Sequence, residues 1–194
     1  DVGNPRYSFL AGKKMQKFVQ TLFGCKQFSD CEIPLSVVTT DLANGQEVVI
    51  NQGSIVKAVL ASIAIPGLLP PVQYGNRYLV DGGSSNVTPA SVLVKTPSKI
   101  IIAVDVSVPP AARFLNKPTL FTTLVQAYTI IRDQSIKYQL SQAEVKHKSL
   151  IIVRPVFDDI IDTFQFNQVP DFIALGEAAM RHSLPTIKRA LVKG

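Results

Sequence analysis

The sequence predicts an α/β architecture: a mainly parallel central sheet sandwiched between helices, formed by one domain over residues 1–194. Three observations point there. The run Ile100 to Val108 (IIIAVDVSV) is almost continuously apolar, as in a strand buried on both faces between helix layers. Thr119 to Lys146 lacks both Pro and Gly and carries apolar residues at helical spacing. Strand-like and helix-like segments also alternate along the chain, with no repeat and no low-complexity tract.

Taken in order, Ile33 to Thr40 (IPLSVVTT) is rich in β-branched and apolar residues and predicts the first strand. The Asn44-Gly45 pair signals a turn, and Glu47 to Ile50 predicts a second strand, which makes a hairpin or a strand with an edge partner. Ser54 to Ile63 fits a short helix ended by Pro66-Gly67, and Arg77 to Val80 a short strand that runs into Asp81-Gly82-Gly83. The segment 119–146 predicts the longest helix, with Leu120, Leu124, Ala127, Ile131, Ile136 and Leu140 among its apolar residues at helical spacing. Leu150 to Val153 predicts a further buried strand, and Phe172 to Val192 a closing helix, bent or interrupted near Pro185.

Composition narrows the function. With 46% hydrophobic and 18% charged residues the chain is neither disordered nor a mini-protein, and it can bury a core without metal or disulfide staples. Cys25 and Cys31, with no histidine nearby, match neither a zinc spacing nor a disulfide framework and are expected to be ordinary thiols in a reducing, cytoplasmic setting. The net charge of +6 is scattered over Lys13, Lys14, Lys17 and Lys26 and over Arg181, Lys188, Arg189 and Lys193, and no tryptophan accompanies it. Nucleic acid is therefore not an expected partner, whereas peripheral contact with an anionic lipid surface is a secondary expectation. Ala58 to Asn76 carries no charge until Arg77, but Pro66, Gly67, Pro70 and Pro71 exclude a spanning helix. The chain opens on Asp1, with no charged-then-apolar leader, and is expected to be processed or part of something longer.

No Gly-x-Ser-x-Gly elbow and no glycine-rich phosphate loop occurs. Gly82-Gly83-Ser84-Ser85-Asn86 fails at its last position. Ser62 and Ser84 lie near the distinctive motifs without an elbow, so neither is expected to be a nucleophile, and His147 and His182 are expected on helix surfaces. The stretch Leu60 to Pro89 remains: an apolar Pro-rich turn, then a strand ending in Asp81 with Gly82 and Gly83. A carboxylate at a strand end can face a ligand if glycines let the backbone curl, although Asp-Gly-Gly is also ordinary turn chemistry. Ala58 to Val72 would serve equally as acyl-chain lining or as core.

In order and spacing, Ile33-Pro34-Leu35, Thr40-Asp41-Leu42, Asn44-Gly45, Gly53, Ala61 to Gly67, Pro70-Pro71-Val72 and Val80-Asp81-Gly82-Gly83 resemble the patatin-like lipid acyl hydrolases, more closely their compact bacterial-type members. Ile102-Ala103-Val104-Asp105 resembles the family's next core strand and Gly176 the start of its last helix, which extends the resemblance over essentially the whole chain. Leu60 departs from it, since the family often carries arginine there.

The resemblance implies a Ser-Asp dyad with Asp81 as base or orienter, Gly82, Gly83 and Asp41 in support, and neither metal nor organic cofactor. It places the serine elbow and a glycine-rich oxyanion loop upstream of Asp1, so that the 194 residues would be the C-terminal part of such a domain and inactive alone. It implies a lipid ester as substrate, with self-association or pairing with the N-terminal segment to cover apolar surface. The alternative is a non-catalytic member of the fold that binds a protein or lipid surface.

Overall fold

The structure is a computed structural model that describes residues 8, 10–107, 118–146, 149–156 and 169–193. They belong to two compact units, Asp1–Val87 and Thr88–Gly194.

The first unit is built on a four-stranded sheet in the order β2-β1-β4-β3, with β1 at Val37–Asp41, β2 at Glu47–Ile50, β3 at Val72–Tyr74 and β4 at Arg77–Asp81. The hairpin read from Asn44-Gly45 is present, in the register Val37↔Ile50 to Thr40↔Glu47, with Gly45 at φ 71°. A second hairpin, β3–β4, turns at Gly75, also at positive φ. Every pairing in this sheet is antiparallel, including β1 with β4. The expectation of a mainly parallel sheet is corrected for this reason: turns as short as these can join only antiparallel neighbours, and β3 was not anticipated at all.

Two helices accompany the sheet. Helix α1 spans Lys13–Phe23 and α2 spans Ile55–Ser62. Ser54 caps α2, its Oγ accepting from the Lys57 amide at 3.3 Å. Ala58 and Ala61 are fully buried, so α2 sits close to the strands, packed with Phe28, Ile50, Ile55 and Leu79. The hydroxyl of Ser62 donates to the Val38 carbonyl at 2.8 Å and ties the end of α2 to β1. The first strand begins only at Val37, because Ile33 is exposed and Pro34 offers no amide to a ladder.

The second unit holds the only parallel pairing among the described residues, β5 at Ile101–Val104 with β6 at Leu150–Val153, in register from Ile101↔Leu150 to Val104↔Val153. Helix α3 (Ala90–Val94) precedes β5, α4 (Leu120–Lys146) lies between the two strands, and α5 (Val169–Lys193) closes the unit. Two expectations fail here. Ile101 and Ala103 are buried while Ile102 and Val104 are exposed, so β5 has one covered face rather than two. Of a bend or an interruption at Pro185, the interruption does not occur, since α5 continues through it, and Gly176 lies inside the helix rather than at its start. Of the apolar residues at helical spacing on α4, Ile136 and Leu140 are buried, whereas Leu120, Leu124, Ala127 and Ile131 are exposed.

Candidate functional site

The end of β4 carries the distinctive motif. Leu79 and Val80 are buried, and the strand places Asp81 opposite Thr39 of β1. Asp81 then starts a single 3₁₀ turn, Gly82–Ser84, with its Oδ1 accepting from the Gly83 amide at 2.6 Å. Its own amide donates to the Ala64 carbonyl at 3.0 Å. The carboxylate is thus aimed by the backbone on both sides, and Gly83 contributes an N–H rather than conformational freedom.

Gly82 is required for a different reason. A Cβ there would stand 2.3 Å from the Val38 carbonyl oxygen, closer than any van der Waals contact allows. The glycine lets the turn press against β1, and that contact fixes where Asp81 leaves the sheet.

A hydroxyl pair reinforces the junction. Thr40 Oγ1 donates to the Asp81 carbonyl at 2.9 Å and lies 2.8 Å from Ser85 Oγ. Because a threonine hydroxyl has one proton, Ser85 must donate to Thr40 when Thr40 donates to Asp81. Asn86 continues the turn, its amide bonding the Gly82 carbonyl and its side-chain nitrogen donating to Glu47. Sequence reading missed Thr40, Ser85, Asn86 and Glu47 as members of this junction. The pattern that could have flagged Thr40 is its place beside Asp41 in the quoted motif.

Asp41 lies on the same face of the sheet as Asp81, opposite Leu79 and about 7 Å further along the strand. It is buried, with Oδ1 accepting from the Ala43 amide at 3.0 Å and Oδ2 3.6 Å from Arg77 Nε. Its carboxylate is engaged by its own turn and by Arg77. Ser84 ends the 3₁₀ turn, and the hydroxyl of Ser62 is engaged with Val38. His182 is exposed on α5, and His147 lies outside the described residues.

A second carboxylate stands out in the other unit. Asp105 follows β5, is only 5% exposed, and accepts from Arg154 Nε at 3.0 Å and from the Ser107 amide at 3.1 Å. Burial pushes its pKa up, but the hydrogen bonds from Ser107 and Arg154 outweigh it and hold the carboxyl below its ordinary value. Cys25 and Cys31 are free thiols, and among the described residues no cluster of three or more His, Cys, Asp or Glu could hold a metal. Among them also, no helix is long and apolar enough to cross a membrane.

Residues 5–94, which include β1–β4, Asp41 and the Asp81 turn, match the family Patatin-like phospholipase. Over this segment the chain resembles the patatin-like phospholipase family. It is similar to an NTE family protein of Mycobacterium bovis, 36% identical over 52% of this chain and 17% of that protein. Similarity extends to a lysophospholipase of Debaryomyces hansenii, 31% identical over 55% of this chain and 7% of that enzyme. A patatin-like phospholipase domain-containing protein of Mus musculus is likewise 31% identical over 55% of this chain and 8% of its own length. The chain therefore spans less than a fifth of each of these relatives, and the matches cover about half of it where the resemblance had been read across the whole.

Proposed function

We propose that this patatin-like chain supplies the carboxylate of a serine acyl hydrolase that cleaves fatty acyl esters of phospholipids or lysophospholipids. The observation that carries the reading is Asp81: it ends β4 within the family-matched segment and is aimed by the Gly83 amide, on a turn that only glycine at position 82 permits. That one relative is named a lysophospholipase supports the substrate class. The 194 residues contain no Gly-x-Ser-x-Gly, so the nucleophile would come from polypeptide outside them, as would the oxyanion donors.

In this scheme the serine oxygen attacks the acyl carbonyl as its proton passes to Asp81, and that proton then leaves with the lysolipid or glycerol alcohol. Water, deprotonated by Asp81, next cleaves the acyl-serine ester, and the proton returns to the serine. A carboxylate with an ordinary pKa near ~3.9 is a weak base for a hydroxyl, so proximity and oxyanion stabilisation carry most of the barrier reduction. Fixing Oδ1 on Gly83 limits the rotation that would otherwise misdirect the other oxygen. The site would work in the cytoplasm against a lipid surface met peripherally.

The test uses the protein at its natural length, with lysophosphatidylcholine and a monoacylglycerol as substrates. Asp81→Asn should lower kcat by about 10³-fold or more while KM changes little. Asp41→Asn should instead lower thermal stability, because its carboxylate serves its own turn and Arg77. Full activity in Asp81→Asn sinks the proposal. Lipid binding without any hydrolysis by the unmutated protein would favour the non-catalytic module.

A further inference from the structure

Helix α4 has two apolar faces, and only one of them is used within its unit. Ile136, Leu140 and Ala143 are buried. On the opposite side Leu120, Leu124, Ala127, Ile131, Gln134, Tyr138, Ser141 and Val145 are all exposed, and they follow one another at alternating steps of four and three residues. This is an uninterrupted heptad seam along a helix about 40 Å long. Its five large side chains, Leu120, Leu124, Ile131, Tyr138 and Val145, are between 61% and 81% exposed.

At 100° per residue these five side chains stay within about 60° of arc, with Ile130, 44% exposed, beside them. Polar residues at two of the seam's positions, Gln134 and Ser141, fit helix-on-helix packing.

The order of sizes along the seam then points to a second copy. In a parallel, in-register pair Tyr138 would meet Tyr138, Ala127 would meet Ala127 and Ser141 would meet Ser141, so bulges and gaps would alternate. Run antiparallel about a two-fold axis between Ile131 and Gln134, the same residues pair large with small: Ala127 with Tyr138 and Leu124 with Ser141. Leu120 then meets Val145 at each end. The flanking positions bring Ile130 against Lys137 and Thr123 against Glu144, with no like-charge contact. The five large side chains expose on the order of 700 Å² per copy, close to the ~800 Å² that each partner gives to a standard interface. The arrangement is closed and isologous, so it ends at a dimer.

We propose that α4 is a homodimerisation helix that pairs antiparallel with α4 of a second copy, centred between Ile131 and Gln134. Light scattering on the purified chain at about 100 μM should give twice its 21.1 kDa, and Ile131→Glu, at an exposed site where folding is indifferent to it, should give a monomer. Orientation is read by oxidative cross-linking in a Cys25→Ser, Cys31→Ser background. Ala127→Cys mixed with Tyr138→Cys should form a covalent dimer, whereas Ala127→Cys alone should not, because the two copies of residue 127 would lie roughly 16 Å apart. A monomer at that concentration, a dimer that survives Ile131→Glu, or self-cross-linking of Ala127→Cys overturns the proposal. A monomer that binds phosphatidylglycerol vesicles and loses them in Ile131→Glu also overturns it and assigns the seam to lipid.

Discussion

Gly82 shows how a turn that reads as ordinary chemistry is in fact sterically unique. Its backbone presses on the Val38 carbonyl, and any Cβ would sit 2.3 Å from that oxygen. Neither atom is on a flexible side chain, so the turn or β1 must shift. Gly82→Ala should therefore destabilise the first unit by about 2–4 kcal/mol, read as a fall in the urea midpoint, and Gly83→Ala should cost less, since the amide that Asp81 uses is retained. Equal midpoints for Gly82→Ala and the unmutated chain would show that the turn is not held as described. Asp105 supports a prediction with a pH sign. Its folded pKa is depressed, so it contributes stability above its unfolded value near ~3.9 and loses that contribution as pH falls through the lower folded value. Asp105→Asn should be less stable than the parent at pH 7, and the gap between their denaturation midpoints should close as pH drops below ~4. A gap of constant size would assign the pair no electrostatic role. Arg154 is more than half exposed, so the ion pair itself is screened, and the gap should be modest because the side-chain oxygen of an asparagine can still accept from the Ser107 amide.

At the scale of elements, legibility followed local chemistry. The hairpin from Val37 to Ile50 was readable because Asn44-Gly45 encodes its turn, and α2 because Ser54 supplies a cap ahead of an apolar run. Strand β3 was not, since Val72-Gln73-Tyr74 is too short to show a period and gains its pairing only from β4. Helix α1 was missed for a related reason: its lysines hide a face on which Val19 alone is buried. The antiparallel sheet was misjudged because the apolar run at Ile100 to Val108 was taken to speak for the whole chain, whereas its parallel partner is β6 alone among the described strands. At the site the Asp81 turn was legible as a motif, but Thr40, Ser85 and Glu47 are gathered by cross-strand register, which a linear pattern does not carry. Pro185, expected to bend or interrupt α5, lies inside a continuous helix. A proline inside a helix still removes one amide and crowds the carbonyl four residues back, here that of Arg181. Pro185→Ala should accordingly stabilise the helix by about 1–3 kcal/mol, measured as protection of amides 181–189 from hydrogen exchange; unchanged protection would mean that the surrounding packing, not the helix, sets the stability there.

At the scale of the whole molecule, the proposed acyl hydrolase needs more groups than these residues supply. A carboxylate alone does not cleave an ester at neutral pH: it needs a hydroxyl within hydrogen-bond reach and donors at the position where the oxyanion forms. The serines closest to the site motifs are poorly suited to that task. Ser62 donates its proton to the Val38 carbonyl, Ser85 is joined to Thr40, and Ser84 sits within the 3₁₀ turn rather than on a strand-to-helix elbow. The 194 residues by themselves should thus hydrolyse p-nitrophenyl esters at the buffer rate and take up no fluorophosphonate probe, while the protein at its natural length should be labelled once, at a serine outside them. Labelling of Ser62, Ser84 or Ser85, or a hydrolysis rate that disappears in Asp81→Ala of the isolated chain, would place the nucleophile inside these residues and replace the divided dyad with a complete one. The same probe separates the site from the α4 seam. Ile131→Glu should leave labelling of the natural-length protein unchanged while altering its mass in solution, because the seam contributes no group to the chemistry.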